Sequence, residues 1–134
     1  VGYTQAGDGS TSANYGIEKY SSITPNVNSY WWSQVFRIGR PFKIISVRIP
    51  LSNPPNATTY ILPTIYTDNG NSFYNGPTIN ITNYPNELNC LVNFNAAKGK
   101  NHFWLSLNFA SSSTGVIPVE LPIIIEYHLL GPNV

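Results

Sequence analysis

The sequence predicts an all-β fold, a single jelly-roll-like or immunoglobulin-like β-sandwich behind an extended N-terminal arm. Three observations predict it. From Tyr30 onward apolar residues recur at every second position, the period of a half-buried strand, and no segment carries a convincing helical period. Turn-forming residues punctuate these runs at regular spacing, which gives roughly seven to nine short strands. A chain of 134 residues, 42% of them hydrophobic, also suffices for one core without disulfide or metal staples.

The elements follow in order. Residues 1–29 form a polar arm. Val1–Tyr15 is rich in glycine and small polar residues and has almost no apolar periodicity. Alone, such a segment cannot offset its conformational entropy, so it is expected to take its order from a surface elsewhere. Residues 30–134 form the sandwich. Trp32–Ile38 reads as the first strand, with Trp32, Phe36 and Ile38 as its apolar members, and Gly39–Pro41 turns the chain. In Phe42–Leu51, Phe42 and Ile44 share one phase while Ile45, Val47, Ile49 and Leu51 share the other, the mark of a β-bulge.

After a Pro54-Pro55 loop, Thr58–Thr67 sets Ile61 and Ile65 against Tyr60, Leu62 and Tyr66. Pro63 lacks an amide donor, which places that strand at a sheet edge or at a bend. Asp68–Asn71 is a hairpin turn. Thr78–Thr82 reads as a short strand; Leu88, Cys90, Val92 and Phe94 alternate in the next. Lys98–Lys100 turns the chain into a strand bearing Phe103, Leu105, Leu107 and Phe109. Val116–Leu130 closes it as two segments broken near Pro122.

Composition narrows the function classes. Only 10% of residues are charged, against about 25% in ordinary soluble proteins. No run reaches the ~18 apolar residues of a spanning helix, so no membrane span is expected. The surface must be neutral and polar, which suits an exported, self-associating or glycosylated protein. Arg37, Arg40, Lys43 and Arg48 cluster, but only Lys19, Lys98 and Lys100 accompany them. They read as outward strand positions, and no nucleic-acid partner is expected.

Cys90 is the sole cysteine and reads as a buried inert thiol, with an intermolecular disulfide as the alternative. The absence of methionine, even at position 1, reads as the start of a processed chain. Asn56-Ala57-Thr58 and Asn80-Ile81-Thr82 are acceptor sequons, making Asn56 and Asn80 candidate sites for N-linked glycan.

The catalytic inventory is thin. The carboxylates Asp8, Glu18, Asp68, Glu87, Glu120 and Glu126 form no recognisable acid–base pair. His102 and His128 lack a nucleophile motif and metal-ligand spacing. No catalytic residue, metal or cofactor is expected, and the chain is not expected to be an enzyme. Asp68–Asn71 offers oxygen ligands for calcium, but a plain hairpin turn explains it as well and is the preferred reading. So few carboxylates also predict a weak dependence of stability on acid pH. Trp31, Tyr66, Tyr74 and Trp104 are candidate platforms for stacking on surface carbohydrate, or surfaces that pack on another strand or subunit.

The stretches from Gln34 through Ile38 and Phe42 through Ile49, with Phe94 to Leu107, resemble the generic jelly-roll modules of secreted proteins. A polar arm before a sandwich with an Asn-, Tyr- and Ser-rich, sequon-bearing surface also resembles subunits of archaeal extracellular filaments, the threads and bundling pili. That resemblance implies an N-terminal strand donated into the next subunit's sheet.

The expectation is therefore an extracellular subunit that assembles with itself, head to tail, into a surface filament or pilus with an adhesive role. Main-chain pairing by β-augmentation joins the copies, and a contact that does not close on itself grows a fibre. Val1, Tyr3, Tyr15, Ile17 and Tyr20 are the donor candidates; Phe36, Val47, Ile49, Val92 and Leu105 are the acceptor groove. Two other readings stand beside it: a carbohydrate-binding or adhesin module, and a viral capsid or spike protein.

Overall fold

Period-two alternation becomes strand, and no helix occurs among the described residues. The computed structural model describes residues 2–5, 14–17, 22–23, 29–109 and 118–131. The arm holds β1 (Gly2–Gln5), β2 (Asn14–Ile17) and β3 (Ser22–Ile23). The sandwich begins with β4 (Ser29–Trp32), β5 (Phe36–Arg37), β6 (Phe42–Pro50), β7 (Ile61–Thr67) and β8 (Ser72–Asn75). It continues with β9 (Asn89–Asn93), β10 (Lys98–Gly99), β11 (His102–Phe109), β12 (Val119–Glu120) and β13 (Ile124–Leu129).

Two antiparallel sheets face each other. In one, β6 is central, with β9 and β10 in succession along one side and β13 along the other. In the other, the order is β4 and β5 in succession, then β11, β7 and β8. Four strand positions against three is nearer the immunoglobulin-like arrangement than the eight-stranded jelly roll. Between the sheets, Phe42, Ile44, Val47 and Ile49 of β6 meet Ile65 of β7 and Phe103, Leu105 and Leu107 of β11 in one buried cluster.

Irregularities in the strands decide which side chains face that core. In β6, Ser46 pairs with Glu126 and Ile44 with Tyr127, so Ile45 is an extra residue and the inward phase flips there. The sequence signals this bulge. A second one it hides. Trp32 pairs with Ser106 and Phe36 with Phe103, so four steps along β4–β5 answer three along β11. The odd residue reverses the phase, so Trp31 rather than Trp32 shares the inward side with Phe36. Ser33 holds this break, donating its N–H to Leu105 O and accepting from Leu105 N on its hydroxyl, both at 2.9 Å.

Pro63 departs from its expected place, because β7 lies inside its sheet between β11 and β8. The carbonyl of Pro63 accepts from Gly76 N, so the missing N–H points to the side where β8 has already ended. No ladder bond to β11 is lost. The segment 78–82 keeps only one strand-like bridge, Ile79 to Ile61, and then turns.

Within the arm, β1 and β2 pair as a ribbon, Gly2 opposite Ile17 and Gln5 opposite Asn14. The short β3 pairs with β12, Ile23 opposite Val119.

Candidate functional site: an open apolar seam

The site arises where one sheet extends further sideways than the other. β13 pairs Ile125 with Val47, Tyr127 with Ile44 and Leu129 with Phe42. Those three partners are fully buried on the inner face. Residues directly opposite in an antiparallel pair share a face, so Ile125, Tyr127 and Leu129 also point inward. Yet Tyr127 is 43% and Leu129 49% exposed. The facing sheet ends at β4 and β5 and does not reach over them.

Between these borders lie two adjoining hollows of about 350 Å³ each, sharing Phe36, Ile123 and Ile125. Phe103 and Leu105 form the floor. Trp31, Phe36 and Ile38 wall one side; Leu121, Ile123, Ile125 and Tyr127 wall the other. Phe36 stacks on Phe103 at 5.2 Å between ring centroids, and Tyr127 lies tilted 6.4 Å from the same ring. Arg37, Ser33 and Gln34 are the polar residues of the lining, joined by the Tyr127 hydroxyl and the Trp31 indole N–H.

The local sequence explains the wall. Leu51 bridges to Val119 while Arg48 pairs with Ile124, so five steps of the last segment answer three of β6. The two extra residues, around Pro122, leave the phase unchanged. The buried Val119 therefore puts Ile123 and Ile125 on the inner side as well. The outward side of β13 carries Ile124, Glu126 and His128, the last two within 3.9 Å of each other and exposed. Apolar residues occupy both faces of a terminal strand, a combination that natural edges usually avoid.

Chemically the seam is equipped to take a strand. One laid beside β13 at the ~4.8 Å spacing of a sheet would pair its main chain there and seat every second side chain among Trp31, Phe36 and Ile125.

The structure distributes the sequence-derived residues unevenly. Phe36 and Leu105 line the seam, while Val47, Ile49 and Val92 are fully buried behind it in the closed core. Trp31, Ile38, Leu121, Ile123, Ile125 and Tyr127 are the wall that sequence reasoning missed. The signal was available: Ile123-Ile124-Ile125 is apolar in both phases at the end of the chain. Of the donor candidates, Tyr3 lies in β1 and Tyr15 and Ile17 in β2, while Val1 and Tyr20 lie outside the described residues.

The sugar-stacking candidates also separate. Trp31 and Tyr74 pack half-buried against the core. Trp104 and Tyr66 stack on each other on the outer face of the β4–β8 sheet, 5.2 Å apart and 9° from parallel, so each covers one face of the other. Phe73 lies 6.1 Å from Tyr66 and is 62% exposed. Across the same face, Trp32 is 64% exposed and Tyr30 is exposed beside it. The open aromatic rings are thus Tyr30, Trp32 and Phe73.

Asn56 is exposed, and its carbonyl oxygen accepts from Thr58 N and from both threonine hydroxyls, Thr58 and Thr59, at 2.9–3.0 Å. Asn80 is half-buried and accepts from Asn83 N at 2.8 Å. The Asp68–Asn71 turn is built from positive φ at Asp68, Asn69 and Gly70. Its Asp68 carboxylate accepts from the backbone amides of Lys100 and Asn101, tying this turn to the next hairpin. The buried His102 accepts from Asn69 N at 2.8 Å on Nε2. These groups are thus engaged in shaping the turn and in joining it to the next hairpin, and no cluster of potential metal ligands occurs among the described residues.

Burial, and then the charge of Glu87, pushes the Cys90 thiol up to about 11. Burial, then Cys90, then Glu87 raise the Tyr84 phenol as well. Both stay neutral near pH 7, and Cys90 is inert packing. No helix among the described residues is long and apolar enough to cross a membrane. Compared with known proteins, the chain matches no family model, no curated protein and no solved structure.

Proposed function

We propose that this chain is an extracellular structural subunit that assembles with itself into a surface filament, each copy accepting an N-terminal strand of its neighbour in the seam beside β13. The observation that carries this reading is the inward row of β13, the edge strand of its sheet among the described residues, apolar and partly exposed. Seating one leucine-sized side chain there contributes about 1.5–3 kcal/mol, and main-chain pairing adds direction and register. A strand passed from copy to copy does not close on itself, so it grows a fibre. The low charge and the exposed sequon at Asn56 fit a neutral, glycan-bearing surface outside the cell.

The test is native mass and electron microscopy of three chains: the full chain, one lacking residues 1–23, and Ile125→Glu. The reading expects filaments from the full chain alone. Monomers from all three, or filaments from all three, would rule it out.

A second reading rests on a different face. Tyr30, Trp32 and Phe73 stand open on a sheet face that also carries the stacked Tyr66–Trp104 pair and the polar Thr64, Asn75 and Asn108, a chemistry suited to stacking on sugar rings. It makes the module an adhesin, alone or within the filament. Glycan-array binding that is lost in Trp32→Ala supports it; absence of binding by the native chain removes it.

A further inference from the structure

We infer that one end of the sandwich, where the segments Arg37–Lys43 and Lys98–Lys100 meet, is a binding surface for an acidic polysaccharide, a chain of sugar rings bearing carboxylate or sulfate groups. The inference uses neither the β13 seam nor the open aromatic face, so it stands apart from both readings above. Its basis is a gathering of charge that the sequence keeps far apart. Of the seven lysines and arginines in the chain, Lys19 lies outside the described residues, and five of the other six sit at this end. Two contacts bring them together. Lys43, at the start of β6, stands directly opposite Lys98 of β10. The carbonyl of Asn101, next to Lys100, accepts from the amides of Ile38 and Gly39 at 2.7 and 2.8 Å, between Arg37 and Arg40. Lys43 is half-buried, and the other four are exposed.

Little at this end balances that charge. Among the described residues no lysine or arginine side chain forms an ion pair. The Asp68 carboxylate is here, but it accepts from the backbone amides of Lys100 and Asn101. Glu126, two residues along β13 from the partner of Lys43, lies 3.9 Å from His128. Glu87 and Glu120 belong to the opposite end, where Asn89 pairs with Pro50 and Leu51 bridges to Val119. Like charges directly opposite in a ladder repel, as Lys43 and Lys98 do here, and a bound anion relieves that repulsion.

The shape of the surface selects the ligand. At Lys98 and Lys100 opens a hollow of about 290 Å³, lined also by Ser72, Tyr74, Asp68 and Leu130. Ordinary ligand sites span ~300–1,000 Å³, so this one has room for a single sugar ring. Tyr74 supplies apolar surface for such a ring, Ser72 a hydroxyl, and the two lysines a counter-charge for its acidic group. Arg37 and Arg40 lie outside the hollow. A ligand with one charge would leave them unused, whereas a chain with an acid on successive sugars runs past both. Single-stranded nucleic acid is gripped by several aromatic rings in series; Tyr74 is the one ring lining this hollow.

Binding of the full chain to immobilised heparin dodecasaccharide and to oligogalacturonate tests this, with neutral dextran and an oligothymidylate beside them. The inference expects binding to at least one of the acidic glycans at about 50 mM NaCl, weakening steeply as salt rises, and none to dextran. Lys98→Gln with Lys100→Gln should weaken it by about tenfold or more. Arg48→Gln, which alters the described cation away from this end, and Trp32→Ala, on the aromatic face, should stay within about twofold. Thermal melts matching the native chain would show that each variant is folded. Failure of the native chain to bind either acidic glycan, or full affinity in the lysine double variant, would overturn the inference. So would an equal loss in Arg48→Gln or Trp32→Ala. Oligothymidylate held as tightly as the acidic glycans would overturn the choice of partner and make this end a nucleic-acid surface.

Discussion

β6 and β13 lie side by side and present the same kind of side chain to the same inner face. Along β6, Phe42, Ile44 and Val47 are fully buried; their partners in β13, Leu129, Tyr127 and Ile125, are partly or half open to solvent. Neither hydrophobicity nor strand geometry separates them. What differs is cover: β11 and β7 lie across from β6, whereas the facing sheet ends at β4 and β5 before reaching β13. One strand is buried and the next half open because the facing sheet stops short of β13 on this side. The same kind of apolar residue therefore stabilises the fold at one position and, on the proposed reading, is left for a partner strand at the other.

The largest break in that comparison comes from the core side. Phe103 touches the rings of Phe36, Phe42 and Tyr127. Phe103→Ala is expected to cost about 3–5 kcal/mol in urea unfolding, with loss of the seam floor as well. Next is Gly99→Ala. A Cβ there would collide with the Phe42 ring inside the packed cluster, so about 1–3 kcal/mol is expected by the same measurement.

The pH dependence sharpens the contrast. Cys90 belongs wholly to the closed side, with its folded value raised from 9.0 to about 11. Below pH 9 both folded and unfolded chains keep the proton, and the thiol adds no slope. Between pH 9 and 11 only the unfolded chain releases it, so stability falls across that window. Tyr84, raised from 10.0, adds the same sign above it. Urea midpoints at pH 8 to 11 should decline, and less steeply in Cys90→Ala. On the acid side the decline is expected to be shallow.

The smallest effect on stability belongs to the seam. Leu129→Thr on β13 should leave unfolding within about 0.5 kcal/mol of the native chain, as exposed positions do. Assembly should nonetheless weaken. A large loss of stability here would mean that β13 is ordinary core.

Much of this was legible in the sequence. Alternation located the strands from Tyr30 onward, the phase flip at Ile44–Ile45 announced the bulge in β6, and Asp68–Asn71 announced its hairpin. Alternation tells which residues turn inward but not whether anything lies across from them. Alternation therefore marks Val47, Ile49 and Val92 as strongly as any groove residue, although they are closed core. The walls, Ile123, Ile125 and Tyr127, went unnoticed because exposure of an inward residue depends on how far the opposite sheet extends. The Trp31–Trp32 order was hidden for another reason: the extra residue near Ser33 is held by that hydroxyl and leaves no apolar mark.

The most direct test of the central claim is amide hydrogen exchange across β13, residues 124–129, in the full chain and in one lacking residues 1–17. A seam that receives a strand predicts that the outward-pointing amides of β13 are protected in the full chain and exchange freely in the truncated one. Equal exchange in both chains, with the β6 amides protected alike, would mean that nothing from the arm pairs with β13, and the account of the seam as a strand acceptor would be wrong.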